Sequence, residues 1–527
     1  QGIFIRDMLI EPRGWLAVAA TFALLCCCSA LPIGGKLLDH LSPSPAGGDV
    51  WVLLVAGSSG YMNYRHQADV CHAYHSIRAR GVREDRIVVM LFDDVVRSWF
   101  NTRRGYLYNE PDGVDVYAGV PKDYTGHQIT PKNFLAVLRG DAAAMKGVGT
   151  GRVIASGPSD RIFVYFADHG APGMLAFPSH HLIVPTKLYA RDLIATLEKM
   201  HQQQKYAEMV LYIEACESGS MFDGLLREDL NILAVTAASP FESSFACYYN
   251  NTLGTFLGDC FSNHWLEHED ETSVSTETID DEVERVKTVT NTSHVCVYGD
   301  TSISQQYLGD FLGPKSKPST THPPVATDSR QVEATSSRDV HETVLRRRLA
   351  DLEEGSGHVD KSSDIRKMLV KELHAVLENH TRADLLFVEL AGALAADGLQ
   401  LGRLLLSQNL PQDCHSKAVP DFSCLESAVE AFEHLCEPFT DYSLRYVAVL
   451  NRACSAGRSK KAVQSTIAQV CQHLAKPNPC HKQASQSACD AISDCTWCKS
   501  SAVPSRCLSI EEAKKLPPAV FVCDRNE

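Results

Sequence analysis

Five uninterrupted apolar runs constrain this chain more than any other feature. They are VWVLLVAG (50–57), RIVVMLF (86–92), RIFVYFA (161–167), EMVLYIEA (208–215) and NILAVTAA (231–238). A strand with one wet face alternates in polarity, whereas a strand covered on both faces reads as continuous Val, Ile and Leu. Helical patterns separate the runs, as in RHQADVCHAYHSIRARG (65–81) and PTKLYARDLIATLEKMHQQQ (185–204). The alternation predicts an α/β domain over residues 50–312, with a mainly parallel sheet flanked by helices.

The chain has 527 residues, too many for one ordinary core. Its composition changes after the α/β region. Residues 313–339, rich in Pro, Ser, Thr and charge, predict an exposed linker of the kind proteases cut. Residues 340–474 repeat Leu, Val and Ile at steps of three and four, which predicts amphipathic helices packed as a bundle. Residues 475–527 hold six cysteines, at 480, 489, 495, 498, 507 and 523. So short a stretch cannot bury much and needs disulfide staples. The DCTWC step at 494–498 alone would also suit zinc or redox chemistry, but a second CxxC is missing, which favours the staple.

At the other end, Trp15 to Ala30 is apolar, short, preceded by Arg6 and Arg13, and closed by small residues. That predicts a secretory signal within residues 1–30, with 31–49 as an extension. Cys26, Cys27 and Cys28 would leave with it. The other cysteines, five from Cys71 to Cys296 and eleven from Cys414 to Cys523, then lie in an oxidising compartment. The acceptor patterns at Asn250, Asn291 and Asn379 fit glycosylation there. No other run reaches bilayer length, so no membrane anchor is expected. A net charge of −14 argues against a nucleic-acid partner.

Reacting groups in an open α/β sheet gather beyond the carboxyl ends of the strands. RIFVYFA runs into Asp168-His169-Gly170, and EMVLYI runs into Glu214-Ala215-Cys216. A cysteine and a histidine at such ends can act as nucleophile and base. The Gly170 and Cys216 N–H groups can form an oxyanion hole. Either residue alone reads more readily as a small buried thiol or a structural histidine. The matched strand ends and the glycine favour the catalytic pair.

The segments GSSGYMNYRHQADVCHAY (57–74), GVPKDYTGHQITPKNFLAVLRGD (119–141), YFADHG (165–170), YIEACESGSMF (212–222), ESSFACYYN (242–250) and NTSHVCVYGD (291–300) closely resemble the legumain family of asparaginyl endopeptidases, or vacuolar processing enzymes. The resemblance implies a caspase-like α/β fold and a thiol endopeptidase of the lysosome, vacuole or secreted pathway, with neither cofactor nor metal. It implies Cys216 as nucleophile, His169 as base, Asn63 as the residue supporting the histidine, and Arg65, His66, Glu214, Ser244 and Asp259 as the S1 pocket. The chemistry agrees. An asparagine amide needs carboxylates for its NH₂ and a cation for its oxygen, and a pocket so built rejects side chains that leave those groups unpaired. Aspartate would meet repulsion that acid relieves.

After the linker the chain resembles the family's helical prodomain, an inhibitory cap. By that resemblance Cys424 pairs with Cys454 and Cys436 with Cys471, while Cys414 has no place. Arg346, Arg347 and Arg348 are expected to face the acidic S1 side, so that protonation would release the cap. No asparagine lies between Asn291 and Asn379, leaving Asp328, Asp339 and Asp351 as self-cleavage sites, or another protease. The tail resembles plexin–semaphorin–integrin modules. The Arg139-Gly140-Asp141 triplet is read as structural. Rival readings are a peptide ligase of the same family, a glycosylphosphatidylinositol transamidase, which would carry a C-terminal membrane span, and a non-catalytic secreted binding protein.

Overall fold

The computed structural model describes residues 48–178, 186–271, 277–313, 333–354, 359–395, 414–415, 421–474, 480, 483, 485–500, 505–515 and 521–524. The expected signal, most of the extension, and linker residues 314–332 with Asp328 lie outside the described residues.

The five apolar runs form strands β1 (Val50–Ala56), β2 (Ile87–Met90), β3 (Arg161–Ala167), β4 (Glu208–Glu214) and β5 (Ile232–Thr236). A sixth, β6 (Cys296–Gly299), completes one sheet in the order β6-β5-β4-β3-β1-β2. All pairs are parallel except β5–β6. Both faces are covered, as the unbroken apolar runs require. Helices Tyr64–Ala79, Cys260–Glu271 and Ile279–Val289 pack on one face, and Pro131–Leu138 and Ala190–Gln202 on the other.

The register sets up the chemistry. Ala167 stands beside Ala56 on one side and Glu214 on the other, so β1, β3 and β4 end flush. One correction concerns 185–204, where a single helical pattern was expected. Thr186–Tyr189 instead pairs antiparallel with Met174–Phe177, and the helix starts at Ala190. The open edge of that hairpin supplies the ladder bonds that draw these four residues out of the helix.

The C-terminal segment is helical over Val340–Glu354, Val359–Leu394, Phe422–Leu435, Val447–Ser455 and Lys460–Leu474. Phe387, Leu390, Leu425, Phe432, Val447 and Ile467 share a core with Ala171 and Met174, so this bundle sits directly on the α/β domain. Disulfides Cys424–Cys454 and Cys436–Cys471 join its helices. Cys414, which the sequence left unplaced, is bonded to Cys296 of β6, and the Tyr298 hydroxyl donates to its carbonyl at 2.6 Å. In the tail, Cys480–Cys495, Cys489–Cys507 and Cys498–Cys523 staple a small sheet, so each cysteine of the CxxC step pairs elsewhere. Among the described residues no helix is long and apolar enough to cross a membrane.

Candidate active site

Asp168 and His169 follow the end of β3, and Cys216 follows β4 by two residues. Asn63 closes the turn after β1 and stands just before helix Tyr64–Ala79. Its side-chain nitrogen donates to Ser59 O at 3.0 Å, which turns its oxygen toward His169 Nε2 at 2.9 Å. That oxygen can only accept, so the proton sits on Nε2 and Nδ1 keeps its lone pair. Nδ1 is buried without a hydrogen-bond partner among the described residues. It is free to take a proton. Burial holds His169 down to about 4, against an upward pull from Asp441, with Arg65 and Arg338 adding to the depression.

Cys216 is fully buried, with Sγ 3.9 Å from Ser244 Oγ. Burial pushes its thiol up, Arg338 draws it down, and Glu217 pushes it up again. In this closed form Cys216 is a buried thiol whose ionisation burial opposes. A Cβ on Gly170 would stand 2.4 Å from Cys216 O, so only glycine allows the two backbones to meet. Glu217, at φ 48°, bends the chain sharply after the cysteine and donates its N–H to Glu242 O at 2.7 Å. Left-handed backbone at a non-glycine residue costs energy and concentrates at functional sites.

Beside the pair lies a buried charged pocket. Arg65 Nε donates to Asp259 Oδ1 at 2.7 Å, and Glu214 Oε2 accepts from the Ser262 N–H and hydroxyl at 3.1 and 3.0 Å. His66 is held by Ser58 Oγ at 2.6 Å and lies edge-on to His169, so it stands between the pocket and that ring. Burial keeps His66 neutral and pushes Glu214 and Asp259 up. Sequence reasoning missed Asp69, whose Oδ2 accepts the Asp259 N–H at 3.3 Å. Its signal was available, since Asp69 is one helical turn beyond Arg65. Arg65 Nη2, Glu214 Oε1 and Asp259 Oδ2 are buried without hydrogen-bond partners among the described residues, although Asp259 Oδ2 comes within 3.4 Å of His66 Nε2. Two acceptors and one donor of the pocket residues are thus left without a hydrogen bond.

The end of the expected linker fills the cleft. Thr335 and Ser336 pair antiparallel with Ala246 and Phe245, and the Ser337 N–H donates to Ser244 O at 3.0 Å. Arg338 Nη2 donates to Glu217 Oε2 at 2.6 Å and to Gly170 O. Its Nη1 reaches Asp441 O at 3.3 Å, while Asp441 Oδ2 lies 3.4 Å from His169 Nε2. Residues 335–338 are therefore not an exposed linker. The unpaired edge of strand Phe245–Asn250 and the buried Glu217 carboxylate give them partners that solvent would otherwise supply.

The three consecutive arginines are also corrected, because none reaches the acidic pocket. Arg346 pairs with Glu342 of its own helix at 2.7 Å, Arg347 lies over Tyr249 and Phe256, and Arg348 over Tyr61 and Phe100. A helix places neighbouring residues about 100° apart, so three arginines in a row cannot share one target. Arg338 makes the charge contact instead.

Asn291 and Asn379 are exposed, whereas Asn250 is half-buried and its Oδ1 caps the hairpin turn at Leu253 N, 2.9 Å away. Arg139 and Asp141 pair with each other at 2.8 Å around a left-handed Gly140, a local turn device.

The chain matches the Peptidase C13 family over residues 50–314 and the legumain prodomain over residues 396–471. It is 39% identical over 466 residues to a legumain of Mus musculus, covering 86% of this chain and 98% of that protein. It is 40% identical over 453 residues to a legumain of Homo sapiens, covering 84% and 96%. A vacuolar-processing enzyme, the delta-isozyme of Arabidopsis thaliana, is 37% identical over 444 residues, covering 82% and 92%.

Proposed function

This chain belongs to the peptidase C13 family as a legumain-type cysteine endopeptidase with its own prodomain, and from that premise we propose that it cuts after asparagine. The reading rests on the three unpaired atoms of the pocket. Glu214 Oε1 and Asp259 Oδ2 can accept the two amide protons of an asparagine side chain, and Arg65 Nη2 can donate to its oxygen. The attack follows from the pair beside it. His169 Nδ1 takes the Cys216 proton, the thiolate adds to the scissile carbonyl, and the backbone N–H groups of Gly170 and Cys216 receive the oxyanion. The amine leaves with the proton from His169, and water then releases the acyl group from sulfur.

Aspartate differs from asparagine by a charge. Its carboxylate is repelled by Glu214 and Asp259 wherever they are ionised, and as pH falls substrate and pocket both take up protons. Burial raises Glu214 and Asp259, so the pocket begins to neutralise above the ordinary carboxylate range. Matched Asn and Asp peptides should therefore show an Asn/Asp ratio of kcat/KM that falls steadily with pH. A constant ratio contradicts the pocket assignment.

We also propose that the helical segment is an inhibitor removed in acid in the secretory pathway, a lysosome or a vacuole. The sign depends on the group. Burial raises Glu217 to about 7 and also raises Glu426, which pairs with Arg191. A carboxyl raised in the closed form takes its proton there more readily, so these two favour closure in acid. His169 works the other way. Held at about 4 when capped, against 6.5 in water, it stabilises the closed form fully above pH 6.5 and loses that contribution as pH falls toward 4. The groups facing it are Asn63, His66 and Arg65 from the domain, and Asp441 and Arg338 from the cap. In a Cys414→Ser chain cut in the linker, cap and domain should separate on size exclusion between pH 6.5 and 4. His169→Gln should shift that separation to lower pH; an unchanged midpoint would remove the histidine from the account.

The Cys296–Cys414 bond makes its own prediction. A cut within 314–332 frees one end of the cap but leaves it tied to β6. The cut protein should run as one species without reductant and as two with it. Two bands without reductant would mean that the tether does not form.

A further inference from the structure

We propose that the aromatic face beneath the cap is a second specificity site, which takes an arginine or lysine of the substrate three to five residues before the scissile asparagine. The inference builds on the asparagine reading and adds a requirement to it. Two guanidinium seats carry it, both made by the catalytic domain. In the first, Tyr249 and Phe256 stand with ring centres 5.3 Å apart, and Arg347 lies 4.6 Å from the first ring and 5.7 Å from the second. In the second, Arg348 lies 5.6 Å from both Tyr61 and Phe100, and its Nε donates to Gly254 O at 2.8 Å. Gly254 has φ +61°, and a Cβ there would meet Arg348 Nε at 2.7 Å. Tyr61 is fixed by its hydroxyl, which donates to Leu253 O at 2.9 Å. Faces of this kind attract a cation through the ring quadrupole, supported in the second seat by a carbonyl.

The first seat lies on the path of a substrate held in the track of the pro-segment. The pro-segment enters the cleft as an extended strand along Phe245 and Ala246, and Ser337 stands at Ser244 beside the nucleophile. Ser337 is thus where the scissile asparagine would sit, with a side chain too short to reach the unpaired pocket atoms. Four residues upstream, Glu333 already forms an ion pair with Arg347 on the Tyr249 and Phe256 rings. A substrate strand in the same track brings its own upstream side chains to that place. When the cap leaves, Arg347 and Arg348 leave with it and the rings lose their cations. Substrate arginine or lysine can replace them, whereas an acidic residue gains nothing from the ring faces.

The test uses full-length protein, cut within 314–332 by an added protease of unrelated specificity and opened in acid. Asn peptides carrying Arg, Ala or Glu at the third, fourth or fifth position before the asparagine are compared. The Arg peptide should exceed the Ala peptide roughly three- to tenfold in kcat/KM at one of these positions, with the gain in KM. Tyr249→Leu should bring the Arg/Ala ratio toward one, and Tyr249→Phe should keep it, which a merely structural role would not do. If Tyr249→Leu does not fold, Phe100→Ala, on a half-exposed ring, puts the same question to the neighbouring seat. Equal rates for Arg and Ala peptides, or a preference that survives both variants, overturn the second site while the asparagine reading stands. No cleavage of any Asn peptide overturns the asparagine reading and this inference with it.

Discussion

Replacing Cys216 with alanine should abolish cleavage of an Asn peptide by the opened enzyme, by roughly 10⁴-fold or more, with the fold intact. Cys216 and Cys71 are the unpaired cysteines among the described residues. Cys71 is buried in the middle of helix Tyr64–Ala79, and burial raises its thiol to about 12, so it cannot substitute as nucleophile. The variant also keeps the pocket, because Arg65, Glu214 and Asp259 are held by partners other than the thiol. Substrate binding without turnover is the expected signature. Residual cleavage within tenfold of the parent would move the chemistry to another residue.

Arg338→Ala carries the second large effect. Arg338 is buried, bridges Glu217, Gly170 and Asp441, and lies within the segment that fills the cleft. Removing one partner of a buried ion pair costs about 3–5 kcal/mol where the other stays charged, and less here, because Glu217, already raised to about 7, takes up a proton once Arg338 no longer holds it down. Each ~1.4 kcal/mol is tenfold, so the open fraction of uncut protein should rise by roughly tenfold at neutral pH and by more as pH rises and Glu217 ionises. Activity toward an Asn peptide without acid reports it. Glu217→Gln combined with Arg338→Ala should recover part of the closure, since the stranded carboxylate is then gone. An uncut Arg338→Ala protein as silent as the parent would assign closure to the apolar contacts of the bundle.

Much of the fold was legible because burial on both sheet faces leaves an unbroken apolar signature, as in β1 and β3. β6 was not read as a strand because it is a short antiparallel edge, preceded by polar Ser293 and His294 and half-buried at Val297 and Gly299. Catalytic candidates were legible from strand ends, since the register that aligns Ala56, Ala167 and Glu214 brings those ends together. The pocket depended on residues from Arg65 to Asp259, a separation that no local pattern carries. Asp69 went unnoticed although its helical spacing from Arg65 was visible.

Closure of the site was the least legible part. Composition marks 313–339 as solvent-loving, and nothing local says that Ser337 and Arg338 find a strand edge and a buried carboxylate. Basic residues attracted attention as a run at 346–348, yet the one that matters for charge is the isolated Arg338. Aromatic partners were overlooked because arginine was expected to seek carboxylates. The partner of Cys414 could not be found by spacing, because Cys296 lies 118 residues away on the far side of the linker.

A pair at two strand ends that cuts beside an asparagine held by Arg65, Glu214 and Asp259 leaves a signature in every product. The most direct test is to open the full-length protein in acid, give it a protein substrate, and map every cut by mass spectrometry, with Cys216→Ala as control. New carboxyl termini are expected at asparagine, joined by aspartate only at low pH, and none with the control. Cuts dispersed over other residues, or cuts at asparagine that persist without Cys216, would contradict that assignment.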